Sequence, residues 1–495
     1  MPTLRAPRYH APMTNTEVLW IFGTVVPLLH LLGLIFAIHA ILRTRTSQGA
    51  IAWALSLIFF PYVSVILYLV FGRQKFHGYI EAKRRGRRDI DHLAEKVRQH
   101  MSGDRALLEG DSGRFGVFES LALFPFTRGN HARLLIDGAA TFRAIFDAID
   151  QATTFICVQF FIVRNDALGQ ELQARLIAKA KQGVTVYFLF DEIGSLFLPK
   201  HYLTSLRTAG VHAKPFNTRR GWLNPFQINF RNHRKIVVVD GRRAFVGGHN
   251  VGVEYLGQSK RFGPWRDTHI ELAGPTVAGV HWSFVQDWHW ATGEILPLLE
   301  VLPAEPAPPD EGKAIVISTG PAVALSVCSL MLLAAISAAR KRVWITSPYF
   351  VPDETVYDAL QLAALRGVDV RIMLPARPDH LLVYLSSFSY LASGESVGVK
   401  FYRYEAGFLH QKVFLVDDDL AAVGTANLDN RSMRLNFEIT VLVAQPAFAA
   451  DVAAMLEADF AHCRRAGRDD LGARGRRNVA FRAAVQVARL FSPIQ

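Results

Sequence analysis

The chain has 495 residues, half of them hydrophobic and 20% charged, which excludes a disordered polypeptide and leaves room for more than one buried core. Lysine and arginine outnumber aspartate and glutamate by 55 to 43, a formal net charge of +12, so an anionic partner is expected: nucleic acid, an acidic membrane surface or phosphate groups. Cys157, Cys328 and Cys463 are the three cysteines; their wide spacing excludes a zinc or disulfide framework and predicts reduced, buried thiols.

The first element is apolar. Val18 to Leu42 is a 25-residue run with no charged side chain other than His30 and His39, and as a helix it is long enough to cross a bilayer. A neutral imidazole is tolerated there. A second run, Ala50 to Phe71, follows after only seven residues, so the pair reads as a transmembrane hairpin with helices at about 18–42 and 50–71, not as a cleaved leader. Trp20, Trp53, Tyr62 and Tyr68 suit the interfaces. Arg73, Lys75 and the stretch KRRGRR (83–88) follow the second run, and Arg5 and Arg8 precede the first, against Arg43 and Arg45 between them. That bias places both ends in the cytoplasm, and the basic connector, 76–130, suits anionic headgroups.

From about Leu134 the pattern is α/β. A buried strand at 154–163, a helix at 168–183 stopped by Gly183, and a strand at 184–191 are expected, and the order recurs at 342–351, 354–367 and 368–375. A proline-rich linker, 303–312, separates the halves. The division is therefore 1–75, 76–130, a first α/β domain at 131–302, the linker, and a second at 313–495. The second ends in FRAAVQVARLF (481–491), an amphipathic helix that either lies on a membrane or docks on its domain.

Each half reaches a strand that carries a histidine and a lysine two positions apart: His233, Lys235 and then Asp240; His410, Lys412 and then Asp417. On a strand, i and i+2 share a face, so imidazole and ammonium project together. A lone His-x-Lys is a common surface feature. Two copies, each followed ten residues after the aspartate by Asn250 or Asn427, are not coincidence. Two histidines, two lysines and two asparagines suit a phosphodiester. The cations and amides steady the non-bridging oxygens, one imidazole attacks phosphorus, and the other shuttles the proton. The lysines carry the charge, so no metal and no cofactor are expected. Asp267 and Glu438 are candidates to orient the imidazoles, Asp267 for His233 and Glu438 for His410, with Arg266 and Arg434 as their competing partners. Asp240 and Asp417 sit at the turns and are assigned pairing there, not proton transfer.

These residues resemble the phospholipase D superfamily with its duplicated H-x-K-x4-D motif. The stretches FRNHRKIVVVDGRRAFVGGHNVGVEYLG, WRDTHIELAGP, DWHWATGE, SPYFVPDE, GFLHQKVFLVDD and GTANLDNRSMRLNFE, together with the apolar hairpin and the tail RLFSPIQ, are similar to bacterial cardiolipin synthases of that superfamily. The resemblance covers nearly the whole chain from Val18. It implies two phospholipase D-like α/β domains packed together behind the hairpin, in a multi-pass protein of the bacterial inner membrane with cytoplasmic catalytic domains. It implies condensation of two phosphatidylglycerols, donor and acceptor, into cardiolipin and glycerol through a phosphohistidine. His233, Lys235, Asp240, His410, Lys412 and Asp417 would form the catalytic motif, and Asn250, Asn427, Thr425 and Gly248 would hold phosphate. Gly248 departs from the family's frequent serine. The nucleophile is assigned to His233, although the pattern itself does not choose between the imidazoles. No nucleic-acid module is recognisable, and oligomerisation is left open. Rival readings are a lipase-type phospholipase D that hydrolyses or exchanges headgroups, a membrane-tethered phosphodiesterase nuclease, and a non-catalytic lipid-binding scaffold.

Overall fold

Runs of valine, isoleucine and phenylalanine bounded by glycine make strands that are buried on both faces, and the helices between them supply the cover. The computed structural model describes residues 20–44, 46–72, 79, 87–106, 112–216, 229–296, 312–323, 325–467 and 479–492. The N-terminal tail, the basic residues 83–86 and most of the proline-rich linker, 303–311, lie outside the described residues. Contacts divide the chain into two units, residues 1–74 with 223–229 and residues 75–222 with 230–495.

In the first unit one helix, Gly23–Arg43, is long and apolar enough to cross a membrane, at ~1.5 Å per residue about 31 Å. The second apolar run is not the single helix expected over 50–71. It forms Ser47–Phe59 and Pro61–Phe71, broken at Phe60, whose φ of −132° and ψ of 53° are not helical. Proline at 61 is the cause: it lacks an N–H, and its ring disfavours the α conformation of the preceding residue. Gly33 lets the first helix close on the second, since a Cβ there would come 2.3 Å from Leu57 O. Both intrahelical histidines find hydroxyl partners, His30 on Tyr62 at 2.9 Å and His39 on Tyr68 at 2.8 Å. Of the aromatics expected at interfaces, Trp20 and Tyr62 are exposed, whereas Tyr68 is buried against Trp53.

The second unit repeats one plan. Its first part holds β1 (His131–Ile136), β2 (Phe155–Phe160), β3 (Thr185–Asp191), β4 (His212–Phe216), β5 (Arg231–Asn232), β6 (Ile236–Val239), β7 (Arg243–Gly247), β8 (Trp265–Arg266) and β9 (Thr268–Ala273). Seven of these form a sheet in the order β1-β9-β7-β6-β2-β3-β4, antiparallel up to β2 and parallel beyond it. The rest holds β10 (Lys313–Thr319), β11 (Arg342–Thr346), β12 (Phe350–Val351), β13 (Asp369–Pro375), β14 (Lys400–Tyr404), β15 (Phe408–Leu409), β16 (Val413–Val416), β17 (Leu420–Gly424), β18 (Leu428–Asp429), β19 (Asn436–Ala444) and β20 (Cys463–Ala466). The order β10-β19-β17-β16-β11-β13-β14 retraces the first sheet strand for strand, with β20 added at the edge.

Side-chain alternation welds the two sheets together. Ile236 and Val238 face a core that also contains Val413 and Leu415, and between the sheets lie helices Val277–Thr292 and Pro446–Phe460. Val237 and Val239 face the outer helices of the first sheet, and Phe414 and Val416 those of the second. A one-residue slip would exchange these sets, so register is tightly specified. The C-terminal helix, Val479–Leu490, docks on helix Leu381–Ser396 through Val485, Ala488 and the Phe481–Phe388 ring contact. Cys157 and Cys328 are buried, Cys463 is only partly so, and all three are free.

Candidate active site

The same local construction places both His-x-Lys segments. The two residues before each histidine pair, in parallel, with the opposite half: β5 with Asn436 and Phe437 of β19, and β15 with β8. One step further along, this register brings His233 to Glu438 and His410 to Asp267. His233 Nδ1 lies 2.9 Å from Glu438 Oε2, and His410 Nδ1 lies 2.6 Å from Asp267 Oδ2. The carboxylates are thus exchanged between halves, which corrects the expected pairing of Asp267 with His233 and Glu438 with His410. Each acid sits where its strand meets the seam and points across it, away from its own half's histidine. Neither carboxylate takes the competing arginine: Arg266 forks onto Asp459 at 2.7 and 2.8 Å, and Arg434 turns to Asp353.

Glu438 is shared. It accepts from Thr425 Oγ1 at 2.7 Å, Ser432 Oγ at 2.8 Å and Asn436 Nδ2 at 3.1 Å. Asp267 accepts from the Thr268 backbone at 2.8 Å and otherwise faces His410. Burial pushes both acids up, but nearby positive charge wins. Lys412 and His410 hold Asp267 well below the usual carboxylate range, and His233 and Lys235 lower Glu438. Burial lowers both imidazoles from 6.5 to about 4, with the lysines adding to the shift and the carboxylates opposing it. Both rings are therefore neutral at pH 7, and with Nδ1 engaged Nε2 is the ring nitrogen of each that is left to meet a ligand.

Lys235 is fully buried; its Nζ donates to His233 O at 2.6 Å, and burial drives its pKa well down. Lys412 Nζ lies 2.9 Å from His410 Nδ1, and burial lowers it from 10.5 to about 8. The two histidines, two lysines and two carboxylates form one buried cluster at the seam.

The remaining expected residues divide. Asp240 and Asp417 stay at the turns, both with a φ of 52°. Asp240 accepts from the backbone N–H of Thr153, Thr154 and Phe155, and Asp417 from those of Arg340, Lys341 and Arg342. Asn250 is engaged at both ends, by Ile162 N and by Tyr255 Oη. Asn427 leaves its carboxamide oxygen buried without a partner among the described residues. Thr425 donates its hydroxyl to Glu438. Gly248 donates its N–H to Thr268 O, and a Cβ there would come 2.0 Å from Asp267 Oδ1. The missing side chain at 248 leaves room for Asp267 to reach His410.

A second layer was missed. Arg234, between His233 and Lys235, turns to the opposite face and meets Asp287 at 2.9 Å, with Asn232 and Gln159 on the same carboxylate. Gln411, its counterpart, donates to Asp459 at 2.7 Å. The available signal for Asp287 was its place as the lone acid of helix Val277–Thr292, since a buried carboxylate demands a partner; Asp459 shares helix Pro446–Phe460 with Asp451 and Glu457, so its sequence position did not single it out. Aromatic rings wall the site: Phe161 lies against His233, and Trp265 and Phe408 against His410. Among the described residues no group of three or more acidic, histidine or cysteine side chains is placed to hold a metal ion.

Comparison with known proteins agrees with this geometry. A family model described as "Cardiolipin synthase, PLD-like domain" matches residues 145–260 and 332–462, and one described as "Phospholipase_D-nuclease N-terminal" matches 31–73. A protein of Pseudomonas fluorescens named cardiolipin synthase A is 50% identical over 477 residues, 96% of this chain and 98% of that protein. One of the same name from Pseudomonas aeruginosa is 51% identical over 488 residues, 97% of each. The chain belongs to the PLD-like cardiolipin synthase family. The fold has wider company: a phosphatidylserine synthase of Haemophilus influenzae superposes with a TM-score of 0.56 at 17% identity, over 77% of this chain and 97% of that one. Membership of the cardiolipin synthase family fits a site of paired, carboxylate-backed imidazoles.

Proposed function

We propose that this protein is a phosphatidyltransferase that joins two phosphatidylglycerols into cardiolipin and releases glycerol. The observation that carries this reading is the exchanged pairing, which backs two neutral imidazoles with one carboxylate each beside two buried lysines. His233 Nε2 attacks phosphorus, the P–O bond to the leaving glycerol breaks, and His410 supplies the proton. The hydroxyl of the second phosphatidylglycerol then gives its proton to His410 and displaces His233. We assign the acid–base role to His410 because Asp267, less shared than Glu438, best balances an imidazolium. The anionic phosphate, once bound beside His410, raises its proton affinity from the low value of the free site. Lys235, Lys412 and Asn427 steady the phosphate oxygens.

The apolar outside of the first unit supports a membrane hairpin: Leu31, Ile35, Ile38, Leu55, Val63 and Ile66 are all exposed. With basic residues on both outer flanks, we place the hairpin in the bacterial inner membrane, with residues 131–302 and 313–495 as cytoplasmic domains facing anionic lipid.

A phosphatidyl ester of p-nitrophenol tests the assignment, because that leaving group needs no proton. With this donor, His410→Ala should give a burst and a covalent phosphoryl adduct on the His233 peptide; no adduct, or one elsewhere, overturns it. In phosphatidylglycerol vesicles the wild-type protein should yield cardiolipin and glycerol in equal amounts. Phosphatidic acid as the main product would mark a hydrolase instead.

A further inference from the structure

Beyond the reacting groups, the two halves share a feature that the chemistry does not use. After β3 the chain turns through residues 192–199 and exposes Leu196 (67%) and Phe197 (81%). After β13, the counterpart of β3 in the second sheet, it exposes Leu381 (64%) and Leu382 (41%). Both tips follow the C-terminal end of a parallel strand, where α/β sheets present their sites.

Each tip is tied to the site. In the first turn Ser195 Oγ accepts from Val163 N and donates to Phe161 O, and the Phe161 ring lies 5.1 Å from that of His233. Asp191, at the base of the same turn, accepts from the backbone N–H of Asn232, beside His233. In the second, Asp379 accepts from Tyr349 Oη at 2.6 Å, and Asp379 lies close enough to act on the Lys412 ammonium. Exposed basic residues adjoin both tips, Lys200 at the first and Arg377 at the second. Large apolar side chains exposed in the turn after β3 and on the first turn of helix Leu381–Ser396, each with a cation nearby, suit a surface that is apolar below and anionic above.

We propose that Leu196–Phe197 and Leu381–Leu382 dip together into the interface of an anionic bilayer and hold the mouth of the site against it. This rests on the lipid reading above and adds the surface through which the lipid is met. A lipid then passes from bilayer to phosphate-binding site without crossing water, and the acceptor alcohol is favoured over water at the second step.

The test uses the full chain with Cys463→Ser, reconstituted in vesicles of phosphatidylglycerol and phosphatidylcholine, with a bimane label on a cysteine at position 197, 381 or, as control, 171 on an exposed helix face. Brominated lipid should quench the labels at 197 and 381 and leave 171 bright. Labels at 197 and 381 that are not quenched, or quenching equal to that at 171, overturns the proposal. Labels shielded from aqueous iodide yet untouched by brominated lipid also overturn it, in favour of a protein surface such as a second copy. In parallel, combined L196S, F197S, L381S and L382S should lower kcat/KM on vesicles roughly tenfold or more and leave turnover of monomeric short-chain phosphatidylglycerol unchanged. Equal loss on both substrates would overturn the proposal. If the labels at 197 and 381 are quenched but the unlabelled wild-type protein makes no cardiolipin from either substrate, the reaction assignment falls and the membrane contact stands.

Discussion

At the scale of single residues, the exchanged carboxylates decide what each histidine can do. Glu438→Gln and Asp267→Asn keep the shape of the site but replace an acceptor-only carboxylate with a neutral amide whose NH2 can donate to Nδ1 and so no longer fixes the tautomer; each should lower kcat by about 10²–10⁴-fold. Histidine-labelled NMR distinguishes the exchanged pairing from an in-half one: Glu438→Gln should shift the ring signals of His233 and leave those of His410, and the reverse assignment would sink the pairing. Titration follows from burial. Lys412 is lowered to about 8, so kcat/KM should fall above that pH, and Lys412→Arg, which keeps its charge, should carry the alkaline limb upward in a pH–rate profile. For the imidazoles the folded value, about 4, lies below the usual 6.5. Between those values the unfolded chain binds the more protons, so stability is full above about pH 6.5 and is lost as pH falls toward 4. Thermal unfolding followed across that window should show the loss, and His233→Ala should reduce it. The two His-x-Lys pairs were legible as a pattern, because two copies of it stand out. Their partners were not, because an offset of 28 or 34 positions says which strand an acid lies on and nothing about which way it crosses a seam.

At the scale of elements, the two aspartates of the repeated motif are hairpin devices. Each holds a left-handed φ of 52° and gathers three successive backbone N–H groups from the segment entering β2 or β11. Arg114 adds an ion pair to Asp417 and another to Asp419. Asp240→Ala strands those donors and forces alanine into a left-handed turn, a loss of about 3 kcal/mol. Asp240→Asn keeps one acceptor in a conformation asparagine tolerates and should cost less than half as much. Thermal unfolding in detergent should rank them in that order while kcat per folded molecule stays near wild type; a collapse of kcat in well-folded Asp240→Asn would restore a chemical role to this carboxylate. Turn-making was readable from Asp240-Gly241 beside a buried run, and the strand and helix order from periodicity and glycine stops such as Gly183, whose φ is 90°. The break at Phe60 was missed because apolar composition outweighed the single proline that interrupts it.

At the scale of the molecule, the halves are mutually incomplete. Each contributes the histidine that the other's carboxylate needs, and the two-strand pairs β5–β19 and β8–β15 that align them run within one chain. Their common core, Val277–Thr292 and Pro446–Phe460 between two sheets, buries large side chains such as Trp288 and Phe284 completely, and a fully buried side chain of that size contributes about 2–3 kcal/mol. Opening that interface to trade halves between copies would give up many such contacts at once, so the site should assemble in cis at any oligomeric state. The duplication was legible as two α/β runs, but repeat alone allows two separate sites or one shared site, and only the seam distinguishes them. Co-expression of His233→Ala with His410→Ala chains tests the distinction. Assembly in cis leaves every molecule short of one imidazole, and cardiolipin output should stay at the level of either variant alone. Recovery toward a quarter or more of wild-type activity would mean that histidines from two copies meet at one phosphorus, and the single-chain site described above would have to be redrawn as an intermolecular one.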